Sequence, residues 1–194
     1  MKRYLIIIAL TLLSFSSYSQ QKRDPKIYIE LKPLQFVSGG YSVVGHYAIN
    51  PRWHVGTNIF ASELSEAFNQ IGFDYDDEAI DLNASQDFAI NFSFRFFLNK
   101  QHPHKGWQLS LPFGYETWTL TDRNTDAEVT YEFWNISPRI GYLWYPFKKE
   151  RFYIMTEAVF AIPLISDGEV QLGNSSIKSN TIVPIPSIGL GVRL

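Results

Sequence analysis

Between Phe88 and Leu98 every second residue is large and apolar. Phe88, Ile90, Phe92, Phe94, Phe96 and Leu98 share one parity, and Ala89, Asn91, Ser93, Arg95 and Phe97 share the other. A period of two sends successive side chains to opposite faces of a β-strand. The pattern recurs in Trp134, Ile136, Pro138, Ile140, Tyr142 and Trp144 against Asn135, Ser137, Arg139, Gly141, Leu143 and Tyr145. It recurs again in Ile154, Ala158, Phe160, Ile162 and Leu164 against Met155, Glu157 and Ala161. The last segment alternates Ile182, Pro184, Pro186, Ile188, Leu190, Val192 and Leu194 with Ser187, Gly189, Gly191 and Arg193. The spacing predicts eight strands, at about 27–37, 41–49, 53–64, 86–98, 107–120, 130–146, 152–165 and 181–194. Most reach the length a tilted strand needs to cross a bilayer, about nine residues.

The first residues carry a different signal. Lys2 and Arg3 precede a short apolar run from Leu5 to Leu13, and Ser17-Tyr18-Ser19 offers a small-x-small cleavage site before Gln20. This is the pattern of a secretory signal peptide, and the apolar run is too short for a spanning helix. The expected layout is a signal peptide 1–19, a short leader 20–26 and a β-barrel 27–194. Loss of the signal peptide would move the net charge from -2 to -4. The longest uncharged stretch after it, Pro33 to Pro51, holds Gly39, Gly40, Gly45, Gln35, His46 and Asn50, which rules out a lipid-facing helix. The chain is 16% aromatic, so it is not a disordered chain. It lacks cysteine, which excludes a disulfide scaffold, a thiolate zinc site, a Cys nucleophile and a lipoprotein anchor. Its slightly negative charge argues against nucleic acid as a partner.

Which face of the sheet is wet decides between a soluble barrel and a membrane barrel. The large parity is uniformly apolar, whereas the small parity is rich in Gly and Ser. Gly40-Tyr41, Gly114-Tyr115 and Gly141-Tyr142 each put Gly on the small face and Tyr on the large one. A narrow eight-stranded barrel has room inside only for packed side chains. The connections alternate as well. Asn50-Pro51-Arg52, 99–106 and Phe147 to Arg151 are short, while 65–85, 121–129 and 166–180 are long, with a tight one at Ser38-Gly40. Short turns on one side and longer loops on the other are the build of an outer-membrane barrel. Tyr47, Trp53, Trp107, Trp144, Tyr145, Phe152 and Tyr153 flank the short turns, and Trp118, Trp134 and Tyr41 lie toward the other rim, as two interfacial girdles would.

On these residues, span 27–194 resembles a small eight-stranded outer-membrane barrel of the OmpA/OmpX type of Gram-negative bacteria. The resemblance implies an all-β, antiparallel, up-and-down transmembrane barrel. It also implies a place in the cell outer membrane and insertion by the barrel-assembly machinery. Ile188, Leu190, Val192 and Leu194 carry the family's alternating C-terminal signal, with Leu194 where the family usually has an aromatic residue. The implied surroundings are outer-membrane lipid and lipopolysaccharide, the implied state is a monomer, and no cofactor is implied.

Proline interrupts this reading. Pro33, Pro112, Pro138, Pro163, Pro184 and Pro186 fall inside the proposed strands, where each removes a ladder donor. Pro138, Pro163, Pro184 and Pro186 fall on three consecutive strands toward their loop-side halves, where the sheet is expected to bulge or to be covered by folded loops.

Charges collect on the small, inward parity: Glu30, Lys32, Arg95, Glu116, Arg139, Glu157 and Arg193. An ion inside a narrow barrel needs a partner, and Arg139 with Glu157 is the expected pair. This lumen network is read as a structural plug, with a narrow solute or ion conduit as the alternative. No catalytic, cofactor or metal residue is assigned. A lipid-modifying enzyme would need a base at the outer rim. His46 and His54 lie low and inward, and His102 and His104 lie in a short turn, where they read as a solvated pair without an acid partner. Loop 65–85 and its flanks carry eight carboxylates from Glu63 to Asp87 without a Lys or Arg, but lack the spacing of a calcium loop. Arg52, Lys100, Lys105, Lys148, Lys149 and Arg151 line the opposite turns. The expected role is structural or binding, exerted through the external loops on an envelope partner the sequence does not name. A soluble lipocalin-like barrel is the remaining alternative.

Overall fold

The computed structural model describes residues 26–64, 66–75, 80–102, 104–164 and 169–194. The expected signal peptide, most of the leader and the acidic run 76–79 lie outside the described residues. The strands are β1 (Ile27–Leu31), β2 (Tyr41–Ala48), β3 (Trp53–Glu63), β4 (Phe73–Asp74), β5 (Leu82–Phe97), β6 (Gly106–Asp122), β7 (Ala127–Ile136), β8 (Arg139–Trp144), β9 (Phe152–Leu164), β10 (Glu169–Leu172), β11 (Ser175–Ser179) and β12 (Val183–Arg193).

The wall runs β1–β2–β3–β5–β6, then β7 and β8 as two halves of one strand, then β9 and β12. It closes because β12 pairs back onto β1, with Tyr28 opposite Arg193 and Leu31 opposite Leu190. The result is an antiparallel, up-and-down ring of eight strands. Closure leaves no free edge, which a strand in lipid requires. The parity rule decides the faces. Phe92 and Phe94 are 59% and 61% exposed on the outside, whereas Arg95 between Phe94 and Phe96 is 2% exposed. Trp53, Trp107 and Trp144 ring the short-turn end, and Tyr41 and Trp134 stand exposed toward the other. Trp118 departs from the expected girdle. It points inward, and its indole N–H donates to Glu116.

The prolines act in different ways. Pro33 is not in a strand: β1 stops at Leu31, and Pro33 opens a helical turn, Pro33–Val37, where a missing N–H is harmless. Pro112 and Pro138 both lie at the break between β7 and β8. β6 pairs with β7 from Phe113 and with β8 up to Ser110, and Ser137 N–H donates to the Pro112 carbonyl at 2.9 Å. Pro163 is the middle of the three β7–β9 pairs, opposite Asn135, and the register runs through it to Leu164. Pro184 and Pro186 interrupt nothing: the β9–β12 register runs straight through them. They share one parity, so both nitrogens face the same neighbour. That neighbour is the β1 side, where pairing covers only 190–193 and the helical turn replaces the strand.

Three loop expectations also change. The tight connection at Ser38-Gly40 is the end of that helical turn. Gly39 is left-handed there (φ 81), and a side chain at Gly40 would collide with the Ala61 backbone. The expected loop 121–129 is only the turn 123–126, because the alternation persists through Asp122 and resumes at Ala127. The described parts of segments 65–85 and 166–180 are folded. A helix (Glu66–Gly72), β4 and the hairpin β10–β11 join in a small three-stranded sheet over the long-loop end. It is held by its own apolar core, in which Phe73, Leu172 and Ile177 pack on Leu82, Ala84 and Leu120 of the barrel.

Candidate functional site

The lumen is built in tiers. At the short-turn end Tyr28, Phe97, Leu143, Tyr145, Tyr153 and Met155 form a buried cluster. His54 lies against Tyr28, with ring centroids 4.5 Å apart. His104 is not the solvated turn residue the sequence suggests. The turn takes a left-handed conformation there (φ 71), and its Nδ1 lies 3.0 Å from His54 Nε2.

Above this base sits a cluster of ions. Lys32 Nζ donates to Glu157 Oε2 at 2.8 Å and to Ser187 Oγ at 3.1 Å. Arg139 stands 3.7 Å from the same oxygen, and Arg95 lies 3.9 Å from Oε1 and 3.7 Å from Glu30. Gln108 Nε2 donates to Glu157 Oε1 at 3.1 Å, and Tyr153 Oη donates to Glu30 at 3.4 Å. Five of the seven sequence-assigned residues thus meet around Glu157: Glu30, Lys32, Arg95, Arg139 and Glu157 itself. Small residues make the space. A Cβ on Gly189 would overlap the Glu30 carboxylate, and one on Gly141 would press on Gln108 and Glu157.

The other two stand apart. Arg193 is half-buried near the base, its guanidinium 5.9 Å from the Tyr28 ring. Glu116 forms a separate upper tier, where it accepts hydrogen bonds from Gln86 Nε2 at 2.7 Å, Trp118 Nε1 at 2.9 Å and Asn135 Nδ2. Gln108 and Asn135 could have been found by parity alone. Gln86 could not, because the register slips between Gln86 and Phe88 and turns it inward on the parity that places Phe88 outside. Among the described residues no group of three or more His, Asp or Glu is arranged to hold a metal ion.

No family model and no curated protein matches the sequence. Solved structures do. The N-terminal β-barrel domain of Pseudomonas aeruginosa OprF matches with a TM-score of 0.51 at 10% identity, over 88% of this chain and 98% of that one. Ail, the attachment invasion locus protein of Yersinia pestis, matches with 0.44 at 10% identity, over 89% and 100%. Acinetobacter baumannii CarO2 matches with 0.45 at 11% identity, over 90% and 100%. The likeness to the OprF barrel shows a shared fold: this chain has the fold of a small eight-stranded outer-membrane β-barrel of the OmpA/OmpX type.

Proposed function

We propose that the chain is exported behind a cleaved signal peptide and inserted into the outer membrane as a monomer by the barrel-assembly machinery. There it acts as a structural or binding element, neither a pore nor a catalyst. The observation that carries this reading is the Glu157 cluster. Three cations from three different strand regions converge on one carboxylate in the middle of the bore. Ions so placed are expensive to separate once desolvated. The aromatic base beneath them and the loop sheet above them support a closed lumen. His46, His54, His102 and His104 all lie toward the short turns, away from the outer rim where a lipid-modifying base would work.

The surfaces support the placement. An apolar outer wall suits lipid, and the basic residues of the short turns suit anionic headgroups. The capped long-loop end is the surface left for lipopolysaccharide or another envelope component. Conductance of the refolded mature chain in a planar bilayer tests the closed lumen: silence is expected, and resolved unitary steps would favour the conduit. Membrane fractionation with heat-modifiable gel migration tests the placement.

A further inference from the structure

Outward side chains on β6 stand clear of the wall: Leu109 and Leu111 are 45% and 51% exposed. Val192 departs from that pattern. The register turns it outward between Ile29 of β1 and Phe152 of β9, yet it is only 7% exposed. One step along, Leu190 lies between Leu31 and Ile154. Val192 is shorter than the neighbours on both sides, and the turn after β8 folds over its flank. Phe147 of that turn meets Phe152 edge to face, with ring centroids 6.4 Å apart. With Trp144 and Pro146 it forms the far wall of a groove of about 560 Å³ on the outside of the barrel. That volume falls among small-molecule sites, about 300–1,000 Å³.

The lining says what enters. It is hydrocarbon, and the Tyr153 hydroxyl behind it is turned inward to Glu30. The inserted part of an occupant is therefore an alkyl chain. Eleven residues line the groove, against roughly 20–30 per partner in a stable protein interface, so the patch is too small to hold a second copy of the chain. In lipid an alkyl chain gains no hydrophobic energy by leaving the bulk for the groove. It gains closer van der Waals contact with the walls.

Selectivity then comes from the head. Turn 147–151 carries Lys148, Lys149 and Arg151 against one carboxylate, Glu150. Glu150 is held left-handed (φ 46) and lies 3.8 Å from Lys105 of another turn. Among the described residues Lys148 and Lys149 have no carboxylate within 4.0 Å, and both are exposed directly after Phe147, at the groove's end. Lysines at a membrane surface attract anionic lipid.

We propose that this groove retains one anionic glycerophospholipid of the inner leaflet. One acyl chain lies over Val192 and Leu190, between Ile29 and Phe147, and the phosphate sits on Lys148 and Lys149. The site deepens the membrane placement proposed above and rests on it.

The test uses the full mature chain in nanodiscs of phosphatidylcholine, doped with a phosphatidylglycerol that carries a diazirine in one acyl chain. After irradiation, crosslinks are mapped residue by residue with and without excess unlabelled phosphatidylglycerol. Labelling at Leu190, Phe147 and Phe152 is expected to exceed that at Leu109 and Leu111 and to be competed. The matching phosphatidylcholine probe should label both regions alike. Lys148→Gln with Lys149→Gln should lower the competed labelling roughly tenfold. Ile29→Trp, which fills the groove from the lipid side, should remove it while heat-modifiable migration persists. If that variant does not fold, Leu190→Trp serves the same purpose, read at Phe147 and Phe152. Groove labelling no greater than on β6, or indifferent to the lysine exchange or to filling, would overturn the proposal. Equal groove labelling by the two probes would do the same, as would protection seen only when two chains share a disc, which assigns the face to a second copy. A parent chain without heat-modifiable migration would sink the membrane placement itself, whereas intact migration without competed labelling sinks the lipid site alone.

Discussion

Lys32 and Glu157 meet at 2.8 Å inside the barrel, although 125 positions separate them in the chain. Lys32 follows the first strand and Glu157 lies on β9, so the contact reaches across β12, which pairs with both strands, and forms only once β12 has closed the ring onto β1. Arg95 and Arg139 reach the same carboxylate from β5 and β8. Removing that charge would strand Lys32 and Arg139 and leave Arg95 with Glu30 alone. Glu157→Gln is expected to destabilise the barrel by about 3–5 kcal/mol, read as a lowered urea midpoint in lipid vesicles. Glu157→Gln combined with Lys32→Met should recover part of the loss, since one of the stranded charges is then gone. An unchanged midpoint in the single variant would remove the cluster from any structural role.

The prolines separate two kinds of strand position. Pro184 and Pro186 keep their register with β9 and face a helical turn on the other side, so their missing N–H groups leave no ladder acceptor unmet. Pro184→Ala should shift stability by no more than about 1 kcal/mol, through unfolded-chain entropy alone. Ile90 on β5 is paired on both sides, with Ile59 and with Tyr115. Ile90→Pro should therefore cost several kcal/mol and abolish heat-modifiable migration, because lipid offers no substitute partner. Equal behaviour of the two variants would mean that the upper part of β12 is paired on both sides after all.

These contrasts mark where the sequence was legible. Parity alone identified the lipid-facing side of Phe88 to Leu98 and the inward charges, because side-chain direction in a strand is a local consequence of the pleat. Parity failed at Gln86, where one extra residue in β5 reverses the faces, and at 33–37, where alternation gave way to a turn opened by Pro33. It also gave no hint that 169–179 forms a hairpin, because β10 and β11 are stabilised by packing on Leu120 and Leu82, far away in the chain. His104 was read as solvated because nothing local predicts a left-handed turn that folds its ring back under the barrel.

That distant packing is open to test. Ile177 is 0% exposed and joins Phe73 and Leu172 over the barrel mouth. Ile177→Ala should weaken the loop sheet by about 2–5 kcal/mol. The eight-stranded wall does not depend on it, so heat-modifiable migration should be retained. Trypsin should then cut after Lys178, on β11 next to the lost side chain, faster than in the parent chain. Equal cleavage rates would mean that the loop sheet is held by something other than this core.

The turn between β6 and β7 supplies a pH-dependent measurement beyond the outer rim. The Asp122 carboxylate accepts from Thr125 Oγ1 at 2.6 Å, from Asn124 N–H at 3.0 Å and from Asp81 N–H at 3.1 Å. The Thr125 hydroxyl first, and the two backbone donors after it, stabilise the ionised form and hold Asp122 below the ordinary Asp range. A folded-state value below the unfolded one means the interaction is fully present above about pH 4, the usual Asp value. It is lost as pH falls through the lowered folded value. Protection of the Asn124 and Asp81 amides, measured against the intrinsic exchange rate at each pH, should therefore hold at pH 6 and fall as the solution is acidified below about pH 4. Thr125→Ala should move that transition to higher pH by removing the shortest of the three bonds. Asp122→Asn should remove the acid transition, and its persistence in that variant would assign the titration to another carboxylate.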